Sequence, residues 1–136
     1  MADKKVDHLA DIWLFSTCSR KELSRLARSC DEVEVEAGRT LVKEGVSGRE
    51  FFIIRDGEAT VRRRNRKIAT LKGGQYFGEL SLLSRLPRNA TVTADTDMDL
   101  LVMGQREFSA AIDDVPSIAH KMLEAMARRL TESDNS

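Results

Sequence analysis

Residues 73–91 read GGQYFGELSLLSRLPRNAT, and the reading of this stretch decides the rest of the chain. It interrupts a succession of short alternating segments, yet it lacks the composition of a surface loop. Gly78 permits close backbone approach, and Glu79 to Leu83 can form one turn of helix whose first amides have no partner inside the helix. Such amides point at whatever lies in front of the turn, a position that favours an anion. Pro87 and the loop before it return Arg88 toward the same point. A guanidinium fork offers two parallel hydrogen bonds to a phosphate, so one arginine with several amides suits a singly charged ligand. Glu79 would repel that anion; it is suited to accept from a neutral hydroxyl nearby, such as that of a sugar. Outside this context, Arg88 reads as a surface ion pair and Glu79 as a carboxylate helped by a helix dipole.

Working outward, the hydrophobic period is 2 on both sides. Val33 and Val35 alternate with Glu32, Glu34 and Glu36, and Thr40, Leu41 and Val42 follow Gly38. Phe51 to Ile54 are apolar at successive positions, which predicts a strand covered on both faces. Asp56-Gly57 carries a tight-turn signal that predicts a hairpin into Ala59 and Val61, and a second hairpin is expected around Asn65, returning through Lys67 to Leu71. Thr91 to Ala94 and Leu100 to Met103 add two strands, bent around Asp95 to Asp97. Seven or eight short strands at about ten-residue spacing read as a sandwich, barrel or jelly roll.

Helical periodicity lies outside this β region. Leu9, Ile12 and Trp13 predict a helix over 6–15, and Leu23, Leu26, Ala27 and Cys30 predict another over 20–29. Ser19 with Glu22 has the spacing of a capping box. Phe108, Ala111 and Ile112 begin a C-terminal helical region, and Ala119, Met122, Leu123, Met126 and Leu130 continue it from an opening at Asp114 and Pro116. Glu124 and Arg128 face each other across one helical turn.

Composition narrows the function classes. The 136 residues carry 22 Lys and Arg against 22 Asp and Glu, so no net field collects nucleic acid or an acidic membrane. No long apolar run supports a transmembrane or secretory segment. Cys18 and Cys30 have no CxxC pattern and read as reduced thiols of a cytoplasmic chain, with Cys30 a small buried hydrophobe. His8 and His120 lie far apart on predicted helices, and the β region holds no histidine. A metal site is therefore not expected, which argues against a cupin-like metalloenzyme and for a chain that is not an enzyme. Arg62, Arg63, Arg64, Arg66 and Lys67 form a basic cluster, read first as a solvated turn that blunts a sheet edge and second as a docking site for an acidic partner.

Phe77-Gly78-Glu79-Leu80-Ser81-Leu82, with Pro87-Arg88-Asn89-Ala90-Thr91, closely resembles the phosphate-binding cassette of cyclic nucleotide-binding domains. Glu44-Gly45, Gly48, Phe51 to Ile54, Asp56-Gly57 and Gly74 fall where that family keeps turns and strands. The resemblance implies an α+β fold: an eight-stranded antiparallel β-roll, or jelly roll, over 31–104 with its cassette at 77–91, flanked by N-terminal helices in 1–30 and C-terminal lid helices in 105–132, all one domain. It implies a ligand site of Gly78, Glu79, Leu80, Ser81, Arg88, Asn89 and Ala90. Arg88 would pair with the cyclic phosphate and Glu79 with the ribose 2′-hydroxyl, while Gly78, Leu80, Ser81 and Asn89 act mainly through backbone. Asn89 stands where many cAMP binders have alanine or serine and cGMP-selective members often have threonine or serine; the reading favours cAMP as ligand, with cGMP the alternative. Arg129, Leu130 and Ser133 are expected lid or base contacts.

The same resemblance implies that the C-terminal helix closes over the filled cassette and signals to a protein effector. The chain would act as a monomer or as a homodimer through that helix, with no direct nucleic-acid or membrane contact. Rival readings are the sensor portion of a Crp/Fnr-type transcription regulator, whose DNA-binding module would begin about where this chain ends, and a degenerate, ligand-free interaction module.

Overall fold

The alternating stretch after Cys30 folds into eight strands: β1 (Asp31–Val35), β2 (Thr40–Val42), β3 (Glu50–Asp56), β4 (Glu58–Arg63), β5 (Arg66–Lys72), β6 (Tyr76–Phe77), β7 (Thr91–Ala94) and β8 (Met98–Gly104). They form two four-stranded antiparallel sheets, in the orders β1-β8-β3-β6 and β2-β7-β4-β5. Phe52, Ile54, Phe77, Met98, Leu100 and Val102 of the first sheet share a buried cluster with Ala59, Val92 and Ala94 of the second. Phe51 and Ile53 are buried as well, as the unbroken apolar run predicts for a strand covered on both faces. The eight-stranded antiparallel β-roll expected from the sequence is present. The computed structural model describes residues 4–134, with side chains described through Thr131. Two units are distinguished: Ser29–Phe108, which holds both sheets, and a helical unit made of the residues on either side.

One expected hairpin is absent. Asp56-Gly57 does turn tightly, with Gly57 at φ 102°, but β3 and β4 belong to different sheets. A Cβ at Gly57 would lie 2.6 Å from the carbonyl oxygen of Asp97. The glycine therefore serves a crossing between layers, packed on the other crossing at Asp95 to Asp97. Among the described strands only β4 and β5 are neighbours both in sequence and in a sheet. Their connection is the hairpin expected around Asn65, a two-residue turn with Arg64 at φ 53° and Asn65 at φ 66°.

In the helical unit, α1 (Lys4–Ala10) ends sooner than the predicted helix over 6–15, and a short 3-10 turn (Trp13–Phe15) follows. The amides of Asp11 and Ile12 bond three residues back, to His8 and Leu9, and Ile12 is extended. The break has a packing reason: Ile12, Leu14 and Phe15 are all buried, whereas Trp13 is 41% exposed. A continuous helix would keep Ile12 and Phe15 on one face but turn Leu14 off it. Lys121 Nζ stands 4.4 Å from the Trp13 ring centroid. Before α2 (Arg20–Arg28) the capping box forms as expected: Glu22 N–H donates to Ser19 Oγ at 3.1 Å, and Ser19 N–H to Glu22 Oε1 at 2.8 Å. After β8 come two helices, α4 (Gln105–Asp114) and α5 (Pro116–Asp134), the second opened by its proline and carrying the Glu124–Arg128 pair at 3.4 Å. Cys30 is buried, and burial pushes the Cys18 thiol up from its ordinary value against a hydrogen bond from Ser117.

Candidate functional site

β6 delivers the chain to Gly78, and α3 (Glu79–Ser84) follows at once. Gly78 sits at φ 96° as the N-cap, and no side chain caps the first turn, so those amides have no partner supplied by the cap. A Cβ at Gly78 would come within 2.8 Å of the Glu50 carbonyl oxygen and 2.9 Å of Arg88 Nη1. Glycine is needed there for conformation and for space. At the other end Arg85 takes a left-handed conformation and closes α3 on the Ser81 carbonyl. Ser81 Oγ donates to the Leu86 carbonyl at 3.0 Å, which fixes the short loop leading to Pro87 and Arg88.

Arg88 is buried, and its environment excludes the surface-ion-pair reading. Nη1 donates to the Gly78 carbonyl at 2.9 Å and Nη2 to the Glu50 carbonyl at 2.7 Å. Its backbone is gripped too: Arg88 N–H donates to the Val46 carbonyl at 2.9 Å, and Gly45 N–H to the Arg88 carbonyl at 2.8 Å. Burial pulls the guanidinium below its ordinary value, while the carboxylates of Glu50 and Glu79 push it back up. An arginine so placed keeps its charge. Glu79 is itself 3% exposed, so a buried carboxylate and a buried guanidinium share the start of α3. Arg88 also lines a cavity of ≈ 240 Å³ with Val42, Lys43, Val46, Gly48 and Glu50, so the cation remains within reach of a small solute.

The other expected positions differ in character. Ala90 is buried, whereas Leu80 and Asn89 are exposed. Asn89 contributes its carbonyl, which accepts from Arg63 Nε at 3.0 Å. Arg129 and Leu130 lie on exposed positions of α5 (Pro116–Asp134), in the helical unit, and Ser133 lies outside the described side chains.

The roles of three contributors were not expected from sequence. Gly48 is the strongest: a Cβ there would fall 1.7 Å from Arg88 Nε, so any side chain would displace the guanidinium. Glu50 acts through its carbonyl, which no side-chain pattern reveals. Arg63 belongs to the basic cluster read as a solvated turn, yet it ties that turn to the segment carrying Arg88. Its neighbour repeats the link, since Arg64 N–H donates to Glu44 Oε1 at 2.9 Å and Glu44 N–H to Thr91 Oγ1 at 3.0 Å.

Residues 32–114 match the family model described as the cyclic nucleotide-binding domain. The chain belongs to the cyclic nucleotide-binding domain family. Among similar proteins, a cAMP-dependent protein kinase regulatory subunit of Yarrowia lipolytica is 36% identical over 79% of this chain and 29% of its own length. The chain thus spans less than a third of that relative. The regulatory domain of Toxoplasma gondii PKA, solved with cAMP, superposes with a TM-score of 0.77 at 28% identity, covering 92% of this chain and 49% of that one. The catabolite activator protein of Thermus thermophilus does so at 0.83 and 28%, covering 89% and 59%. As a cyclic nucleotide-binding domain, the chain is similar to a regulatory subunit and a regulatory domain of these kinases.

Proposed function

We propose that this chain is a cytoplasmic cAMP sensor in which residues 77–91 are the phosphate-binding cassette. The observation that carries the reading is Arg88: buried, charged, and held by two backbone carbonyls and a glycine that makes room for it. Those two bonds use a minority of the five N–H donors of a guanidinium, and the rest suit the exocyclic oxygens of one cyclic phosphate. The amides that open α3, with Gly78, Leu80 and Ser81, complete the anion cradle, and Ala90 packs behind it. Glu79 accepts from the ribose 2′-hydroxyl. The names of the Yarrowia and Toxoplasma relatives support cAMP over cGMP.

Binding becomes a signal through the C-terminal helices over 105–132, which close on the filled cassette with Arg129, Leu130 and Ser133 near the base. A protein effector reads the change. The likeness to the Thermus activator favours a second reading, in which the same site reports to a DNA-binding module. Calorimetric titration with cAMP, cGMP and 5′-AMP tests the ligand: saturable heat is expected for cAMP, weaker binding for cGMP and none for 5′-AMP. Absence of heat with both cyclic nucleotides leaves only a ligand-free interaction module. Amide exchange over residues 115–132 tests the lid, since equal rates with and without saturating cAMP are incompatible with closure.

A further inference from the structure

Apart from Arg63, whose side chain bonds the Asn89 carbonyl, the hairpin tip between β4 and β5 is a motif that nucleotide binding leaves unused. Arg62, Arg63, Arg64, Arg66 and Lys67 are all exposed there, and none joins a salt bridge among the described residues. The register sets Arg62 opposite Lys67 and Arg63 opposite Arg66. Like charges directly opposite one another destabilise an antiparallel pair. Arg64 occupies the first turn position at φ 53°, where glycine, asparagine or aspartate is favoured. The Glu44 carboxylate accepts at Oε1 from the backbone amide of Arg64 and not from its cation. Two local rules are therefore broken at one exposed spot, the pattern expected where a surface is kept for binding.

We infer that this tip is a docking site for a short acidic segment of a partner protein. Carboxylates accept bidentate bonds from arginine, and one carboxylate set between Arg62 and Lys67 relieves their mutual repulsion. An extended polyanion fits less well. Glu34, Asp99 and Asp56 stand in one row across β1, β8 and β3, and with Glu36 and Asp97 they line a groove of ≈ 410 Å³ on the same unit. A phosphate chain long enough to reach that groove is repelled there, and the molecule as a whole has no net charge to attract one. The tip also offers fewer cations than the roughly 6–10 phosphate contacts of a typical duplex binder. None of this depends on the nucleotide reading.

The test is fluorescence anisotropy of a fluorescein-labelled peptide alternating glutamate and serine. Binding is expected to weaken at least tenfold in Arg62→Glu/Lys67→Glu, to persist in Lys4→Glu/Lys21→Glu, and to weaken as salt rises. Equal affinity in the tip variant overturns the inference. So does tighter binding of single-stranded DNA or of phosphatidylserine vesicles than of the peptide, or sedimentation showing that the protein alone self-associates through the tip. A second readout needs no ligand: Arg62→Gln/Lys67→Gln should raise the thermal midpoint by removing the repulsion. An unchanged or lowered midpoint removes the argument that the tip is kept at a cost.

Discussion

Arg88 and the arginines of the β4–β5 tip carry the same charge and have opposite physics. Arg88 is enclosed, with its side chain fixed on the Gly78 and Glu50 carbonyls and its backbone fixed on Gly45 and Val46. The tip cations are exposed and stand opposite one another across a ladder, Arg62 facing Lys67 and Arg63 facing Arg66. An enclosed cation costs desolvation and is kept only where its partners are prearranged. An exposed one is screened by salt and contributes through encounter rather than through tight geometry. Counting basic residues merges these two cases; enclosure separates them.

The comparison breaks most directly at Arg88 itself. Arg88→Ala should cost about 2–5 kcal/mol of nucleotide binding, a loss of roughly 30-fold to several-thousand-fold, read by calorimetry. It should also lower the urea midpoint, because the Gly78 and Glu50 carbonyls lose their donors. Retention of affinity within a few fold would place the phosphate elsewhere. Gly48→Ala comes next. Overpacking of this kind typically costs about 1–3 kcal/mol, and here it falls on the guanidinium, so roughly a 5- to 150-fold loss of cAMP affinity is expected. Wild-type affinity in that variant would mean that Arg88 can leave its seat without consequence.

Smaller effects sharpen the contrast. Arg63 is the one tip residue whose side chain bonds the cassette, so Arg63→Ala should weaken cAMP binding by about 0.5–1.5 kcal/mol, while neutralising Arg66 leaves it unchanged. Equal effects of the two would reduce the difference to net charge. Ser19→Ala removes the capping box and should lower stability by about 1 kcal/mol in chemical denaturation with no change in affinity. Cys18, whose thiol is pushed up by burial, should react with iodoacetamide at pH 8 more slowly than a free thiol.

What could be read from the sequence follows the range of the interaction. The capping box at Ser19 and Glu22 and the turn at Asn65 depend on neighbours in the chain, and both form as read. The elements of the cassette were legible because Gly78, Glu79 and Arg88 lie within one short stretch. Asp56-Gly57 was misread because a tight turn specifies a change of direction and not the strand that pairs next. The helix over 6–15 failed because Trp13 fits an apolar stripe whether it faces a core or solvent. Gly48 reads from sequence only as a turn glycine, because the space it leaves is filled by Arg88, far along the chain, and Glu50 gives no signal because a backbone carbonyl has no signature in residue type.

The central claim is that the enclosed guanidinium of Arg88 meets the phosphate. The side-chain Nε–H resonance of Arg88, assigned by its loss in Arg88→Lys, reports this contact directly by NMR. Saturating cAMP should move it strongly while the Arg66 and Arg62 resonances stay in place. An Arg88 resonance unmoved by bound cAMP would contradict the account.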